Sequence, residues 1–210
     1  SQGQLFPDLG LNPQGERVVE GKQLIARCSG VAGLGKAIAV ELAAEGAKVA
    51  ICARGEARLE DAATELREAA TAPEHVLAVR ADLSVGDDVA RVVRQTVDAW
   101  DRLDIVVNNA GYSLSGDTVN ATEEETHKEL ETLFFGTARV TTRAVENMRQ
   151  SKDSRGGVIF NISSLAGLVA FPGHAYYHAS KFAVEGFTES IAREVHPDWN
   201  SKFTEPSLSS

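Results

Sequence analysis

Short apolar runs alternate with longer stretches of helical period along most of this 210-residue chain. The run "QLIARCS" (23–29) predicts a strand, and in the following "GLGKAIAVELAAEG" Leu34, Ile38 and Leu42 fall at i, i+4 and i+8 before Gly46 stops the helix. "KVAICA" (48–53) predicts a second strand, whose helix carries Leu59, Ala62, Ala63 and Leu66 on one face. The third strand, "HVLAVRA" (75–81), leads to a helix capped by Ser84, with Asp87 and Asp88 in its first turn and Val89, Val93, Val97 and Trp100 spaced to pack inward. "LDIVVNNAG" (103–111) predicts the fourth strand. Beyond it, Thr122 and Glu125 form a capping box opening one helix to about residue 150. The fifth strand is "GGVIFNISS" (156–164), and the helix after it holds "HAYYHASKFAV" (174–184).

Strand and helix alternating five times predict a parallel sheet covered on both faces, because each crossover must carry the chain back over the sheet. The fold class expected is therefore α/β, a doubly wound, Rossmann-like sheet in a single domain. Residues 1–21 form a polar leader and residues 22–210 the domain. Ligands of such sheets bind beyond the carboxyl ends of the strands, so those ends hold the candidate chemistry.

Composition narrows the function. A chain 43% hydrophobic and 24% charged suits one continuous core. Thirty acidic against 21 basic residues give a net charge of −9, and the basic residues are scattered, which argues against nucleic acid as a partner. Cys28 and Cys52 each lie in an apolar run and read as small buried hydrophobes, which fits a reducing compartment, the cytoplasm. The N-terminus lacks the charge and apolar pattern of a secretory signal, and no apolar run reaches about 18 residues, so a soluble chain without a membrane partner is expected. No metal site is assigned.

At the strand ends, Gly30, Gly33 and Gly35 in "CSGVAGLGKAIA" lead into a helix, where glycines let the backbone approach a pyrophosphate held by the helix N-terminus; a plain tight turn would use the same residues. The second strand ends "ICAR". Ala53 leaves no carboxylate for a ribose 2′-hydroxyl and Arg54 offers a forked cation to a 2′-phosphate, which points to NADP rather than NAD, although a solvated arginine at a helix start accounts for Arg54 equally well. In "HAYYHASKFAV", Tyr177 and Lys181 lie about 40° apart around a helix whereas Tyr176 and Lys181 lie about 140° apart, so Lys181 serves Tyr177. An ammonium about 4–5 Å from the phenol supplies roughly 4 kcal/mol at an effective dielectric near 20, which would let the pair act as an acid–base catalyst, although a core tyrosine with a surface lysine gives the same spacing.

The glycine turn, "ADLS", "NNAG", "NISS" and "YHASK" occur in this order, and together they resemble the short-chain dehydrogenase/reductase family over roughly residues 21–199. The resemblance implies an oxidoreductase that moves a hydride between a nicotinamide coenzyme and a carbonyl or secondary alcohol. Ser164, thirteen residues before the tyrosine, would bond the substrate oxygen, Tyr177 would exchange the proton, and Lys181 would hold the nicotinamide ribose and assist the phenol. The coenzyme would lie against Ser29, Gly30, Gly33, Leu34, Gly35 and Arg54. It would also meet Asp82 and Leu83 at the adenine, and Asn109, Ala110 and Gly111, with Asn108 supporting the strand; for both asparagines turn-capping is an alternative. A homodimer through the long helix and the tyrosine-bearing helix is implied as well.

Three departures from the pattern stand out. Cys28 and Ser29 replace a Thr-Gly pair at the glycine turn, which would weaken coenzyme affinity. Leu133 replaces an asparagine that would hold a water linked to the lysine, so proton resupply would slow; His174 and His178 could relay a proton but read as surface histidines. The tail "NSKFTEPSLSS" is too short and polar for a complete sixth strand, and Glu205 and Pro206 look like a remnant of a Pro-Gly turn. The last strands are therefore expected to be incomplete, leaving the fifth strand as a poorly protected sheet edge and much of the substrate pocket absent. An impaired relative that binds coenzyme or a partner without useful turnover is the alternative function.

Overall fold

The computed structural model describes residues 23–27, 33–150, 156–195 and 202–204. The polar leader 1–21, Cys28, Glu205 and Pro206 lie outside them. The strands are β1 (Gln23–Arg27), β2 (Lys48–Ala53), β3 (Val76–Arg80), β4 (Ile105–Asn108), β5 (Val158–Asn161) and β6 (Lys202–Thr204). They pair in parallel in the order β3-β2-β1-β4-β5-β6. The order reverses at β1, which lies between β2 and β4, so a crevice opens at the carboxyl ends there. Around the sheet lie α1 (Leu34–Ala44), α2 (Glu56–Ala69), α3 (Gly86–Trp100), α4 (Glu123–Leu130), α5 (Gly136–Gln150) and α6 (Ala175–Glu194).

Alternating side chains along a strand face opposite sides, and here both sides are core. Val49 and Ile51 of β2 join Ile105 and Val107 of β4 in packing with Ile38 and Leu42 of α1 and Leu59 and Leu66 of α2. Ala50, Cys52 and Val106 face the other way, toward Val89 and Val93 of α3 and Val140 and Ala144 of α5. All seven strand residues are at most 2% exposed, which is why these strands read as continuous apolar runs. Gly46, at φ 91°, ends the α1 turn, and Asp101, at φ 63°, performs the same left-handed exit after α3. The capping box of α4 forms as the sequence predicts: Thr122 Oγ1 accepts from the Glu125 N–H at 3.2 Å while Glu125 Oε2 accepts from the Thr122 N–H at 2.9 Å.

Several expectations are corrected. Ser84 does not cap α3; its N–H and hydroxyl donate to Asp82 Oδ1 at 3.0 and 2.7 Å, and Val85 takes the cap position. A carboxylate two residues back is the stronger acceptor and folds the segment into a local turn. Leu34 is 49% exposed rather than packed with Ile38 and Leu42. The third, fourth and fifth strands are shorter at their ends than predicted, and the single helix to residue 150 is divided by a π-helical turn at Glu131–Phe135 between α4 and α5. The fifth strand is also not the sheet edge. Val158, Ile159 and Phe160 align with Lys202, Phe203 and Thr204, since a parallel ladder is a backbone contact that three residues can make without an apolar run.

Gly157 sits at the entry to β5, where an added Cβ would come within 2.5 Å of Met148 Sδ and 2.9 Å of the Asp104 carbonyl oxygen. That oxygen is fixed by the Val158 N–H at 2.7 Å. Gly157→Ala is expected to cost about 1–3 kcal/mol through overpacking, visible as a lower urea midpoint.

Candidate active site

The crevice at the carboxyl edge is a cleft of about 550 Å³ lined by Arg54 after β2, Asp82 and Leu83 after β3, and Ala110, Gly111 and Tyr112 after β4. Five of the sequence-predicted coenzyme residues thus meet in one cavity. Ser29 and Gly30 lie outside the described residues; Gly33 caps α1 at φ 73°, Leu34 is exposed and Gly35 is buried in that helix. Asn109 is half-buried beside the cleft residues. Gly111 lies close against the buried Leu133: a Cβ there would come within 2.7 Å of Leu133 Cδ2 and make that side chain shift.

Electrostatics along the cleft follow from short local contacts. Burial alone would raise the Asp82 carboxyl, but the hydroxyl and N–H of Ser84 and the charge of Arg54 outweigh it and hold the group below the usual carboxylate value. The Asp82 N–H in turn donates to Asp88 Oδ2 at 2.7 Å, and Asp88 pairs with Arg91. Arg54 is exposed and borders a second cavity of about 390 Å³ together with Arg80 and Arg91, so cations gather where β2 and β3 end.

Tyr177 and Lys181 stand one turn apart on α6, and the Lys181 ammonium lies 5.8 Å from the centre of the Tyr177 ring. Lys181 Nζ also donates to the Ile162 carbonyl at 2.8 Å, although the residue is only 7% exposed. Ser164 caps the short 3-10 turn Leu165–Gly167, its Oγ accepting from the Ala166 N–H at 3.2 Å. That turn packs on α6, where a Cβ on Gly167 would lie 3.2 Å from the Lys181 carbonyl oxygen. Serine, tyrosine and lysine are therefore held by one strand end and one helix.

His178, next to Tyr177, is 4% exposed and not a surface histidine. Its Nε2 accepts from the Phe171 N–H at 3.1 Å, so Nδ1 must carry the proton that bonds the Ala166 carbonyl at 2.9 Å. Both nitrogens are engaged in tying the serine-bearing turn to α6, which removes His178 as a proton relay. His174 faces elsewhere: its Nδ1 lies 2.9 and 3.1 Å from the hydroxyls of Ser113 and Ser115.

Sequence reasoning missed a buried polar lock behind the site. Asn108 Nδ2 donates to Asn161 Oδ1 at 2.8 Å and to Thr141 Oγ1 at 3.1 Å, and Asn161 Nδ2 donates to Thr188 Oγ1 at 2.9 Å. The lock joins β4, β5, α5 and α6. Its signal in the sequence was available: Thr141 and Thr188 are polar residues on helix faces whose neighbours at helical spacing, Ala144 and Val184, are core.

A parallel, doubly wound sheet with a cleft at its carboxyl edge defines the fold class, and comparison with known proteins gives the family. Residues 25–199 match the profile of the short chain dehydrogenases, and the chain belongs to that family. Oxidoreductase calM of Penicillium decumbens is 73% identical over 107 residues, which is 50% of this chain and 35% of the relative. The 3-oxoacyl-acyl-carrier-protein reductase FabG of Staphylococcus aureus is 32% identical over 163 residues, 78% of this chain and 64% of the relative. The matched part thus spans roughly one third to two thirds of these curated relatives. Among solved structures, a short chain dehydrogenase from Mycobacterium smegmatis superposes with a TM-score of 0.81 at 29% identity, covering 91% of this chain and 79% of the other. A short chain dehydrogenase/reductase from Burkholderia phymatum in complex with NAD gives 0.82 at 25% identity, covering 89% and 65%. Among the described residues no helix is long and apolar enough to cross a membrane.

The depressed Asp82 carboxyl has a signed consequence. A folded value below the unfolded one contributes stability above the ordinary carboxylate range and loses it as pH falls through the depressed value. Urea midpoints of the wild type and Asp82→Asn should therefore differ fully at neutral pH and converge below about pH 4.

Proposed function

We propose that residues 22–210 act as the coenzyme-binding and catalytic unit of an oxidoreductase that transfers a hydride between NADP(H) and a carbonyl or secondary alcohol. The observation that carries this reading is the Lys181 ammonium, held by the Ile162 carbonyl and lying over the Tyr177 ring, on the helix that the Ser164 turn packs against. Coenzyme binding has its own support. The start of α1 has no side-chain cap and no acid in its first turn, which suits a pyrophosphate. Arg54 borders the cleft and Ala53, at the end of β2, supplies no carboxylate there for the ribose, which favours a 2′-phosphate and hence NADP over NAD. Ser29, Gly30, Gly33, Leu34 and Gly35 would cradle the pyrophosphate, Asp82 and Leu83 the adenine, and Asn109, Ala110 and Gly111 the middle of the dinucleotide.

When bound, the nicotinamide supplies or takes up the hydride. Tyr177 Oη exchanges the proton with the substrate oxygen, giving it during reduction and taking it during oxidation. Ser164 Oγ accepts from the Ala166 N–H, so its own proton is directed to that substrate oxygen as charge develops there. Lys181 keeps a cation against the ring that loses or gains the proton and bonds the ribose. Small molecules are the substrates, and the acidic chain with the buried thiol of Cys52 suits the cytoplasm. The exposed Phe135 and Phe182, before α5 and on α6, support a homodimer through that face.

A second reading, coenzyme binding without useful turnover, rests on Leu133. It is 1% exposed and fills the π turn where the family resemblance calls for an asparagine, so the side chain offers no amide to a water.

NADPH fluorescence titration followed by a ketone panel tests both readings. Tyr177→Phe is expected to lower turnover about 10³-fold with coenzyme binding changed by less than about threefold. Binding without wild-type turnover would support the second reading; no binding of either coenzyme would overturn both. In the same assay Arg54→Glu is expected to weaken NADPH about tenfold or more and NADH little.

A further inference from the structure

Glu129 is a buried titratable group with no part in the chemistry above. It lies on α4, is 0% exposed, and accepts from the Leu114 N–H at 2.7 Å through Oε1. Oε2 has no hydrogen-bond partner among the described residues. Burial pushes the carboxyl above its ordinary value, with the Leu114 bond and the charge of His174 acting in the opposite sense. An apolar side chain of this volume would cost the helix less, so the carboxyl answers to something other than helix packing.

That something is the segment 112–116, which leaves the end of β4 as a strap. Leu114 is tied to Glu129, Ser113 and Ser115 to His174 Nδ1, and the Gly116 N–H to the Gly173 carbonyl at 2.9 Å. These ties run to α4 and to the residues that start α6. Leu114 lines the 550 Å³ cleft and also a separate cavity of about 150 Å³ bordered by Ser115, Asp117 and Tyr176. It is a partition between them, and its amide is what Glu129 grips.

We propose that Glu129 is a positioning residue: through the Leu114 amide it fixes the strap that separates the coenzyme cleft from the cavity beside Tyr176, and thereby sets coenzyme affinity. The second half rests on the coenzyme reading given above; the first does not.

The test compares wild type, Glu129→Met and Glu129→Gln by amide hydrogen exchange, thermal melting and NADPH titration. Methionine is of similar size, lacks a good acceptor and removes the buried, half-partnered carboxyl, so this variant is expected to melt no lower than wild type. Its Leu114 amide should exchange at least about tenfold faster and its NADPH dissociation constant should rise about tenfold, the scale of one lost hydrogen bond. Glutamine keeps an acceptor oxygen and should bring both values back to within about threefold of wild type. Unchanged Leu114 exchange in Glu129→Met, or failure of glutamine to restore it, overturns the proposal. Faster exchange with an unaltered NADPH constant overturns the link to affinity. If the wild type binds no NADPH, the coenzyme reading falls while the exchange comparison still decides the strap.

Discussion

The hydrogen bond from the Lys181 ammonium to the Ile162 carbonyl carries more of this architecture than its single 2.8 Å contact suggests. A cation at 7% exposure has given up most of its water, and only fixed partners make that tolerable. Two of its partners are a carbonyl beyond the end of β5 and the face of Tyr177, and together they set the rotation and height of α6 relative to the sheet. His178 adds a second fixed point through the Ala166 carbonyl. Tyr177 is adjacent to one anchor and a turn from the other. Its direction is therefore decided by two backbone carbonyls rather than by packing, which is less directional.

The Asn108–Asn161 lock provides the matching constraint inside the sheet. Apolar side chains would pack between β4 and β5 at several registers, but amides that must meet Thr141 and Thr188 at hydrogen-bond distance accept only one. A satisfied buried hydrogen bond contributes about 0.5–1.5 kcal/mol net, and leaving its partner bare costs more, so the gain is mainly in uniqueness. The backbone continues the theme: the Ile162 N–H donates to the Asn108 carbonyl at 2.9 Å, beside the carbonyl that receives the lysine. Sheet register and helix placement thus converge on Ile162.

What could be read from the sequence follows the range of the forces involved. Strands such as Val49–Cys52 and Ile105–Val107 were legible because burial on both faces leaves an unbroken apolar run, and the Thr122–Glu125 box was legible because it is complete within four residues. Gly33, Arg54, Asp82 and Gly111 declared themselves by their positions after strands. The cap of α3 was misread because Ser84 is a good cap in isolation and is taken instead by Asp82. His178 looked superficial because nothing local announces Phe171 and Ala166 as its partners, and the π turn at Glu131–Phe135 has no composition of its own. The tail was expected to hold no complete sixth strand, but the pairing of three-residue β6 with β5 was not legible because the tail is polar and the pairing spans about forty residues of chain.

Leucine and asparagine share a γ-branched outline, so Leu133 in the π turn conserves the form that presses Cδ2 toward Gly111 and keeps that stretch of backbone bare. What it withdraws is a polar group: its methyls beneath Gly111 neither order a solvent molecule nor pass a proton, so the polar interior behind the cleft is left to the amides and hydroxyls of Asn108, Thr141, Asn161 and Thr188.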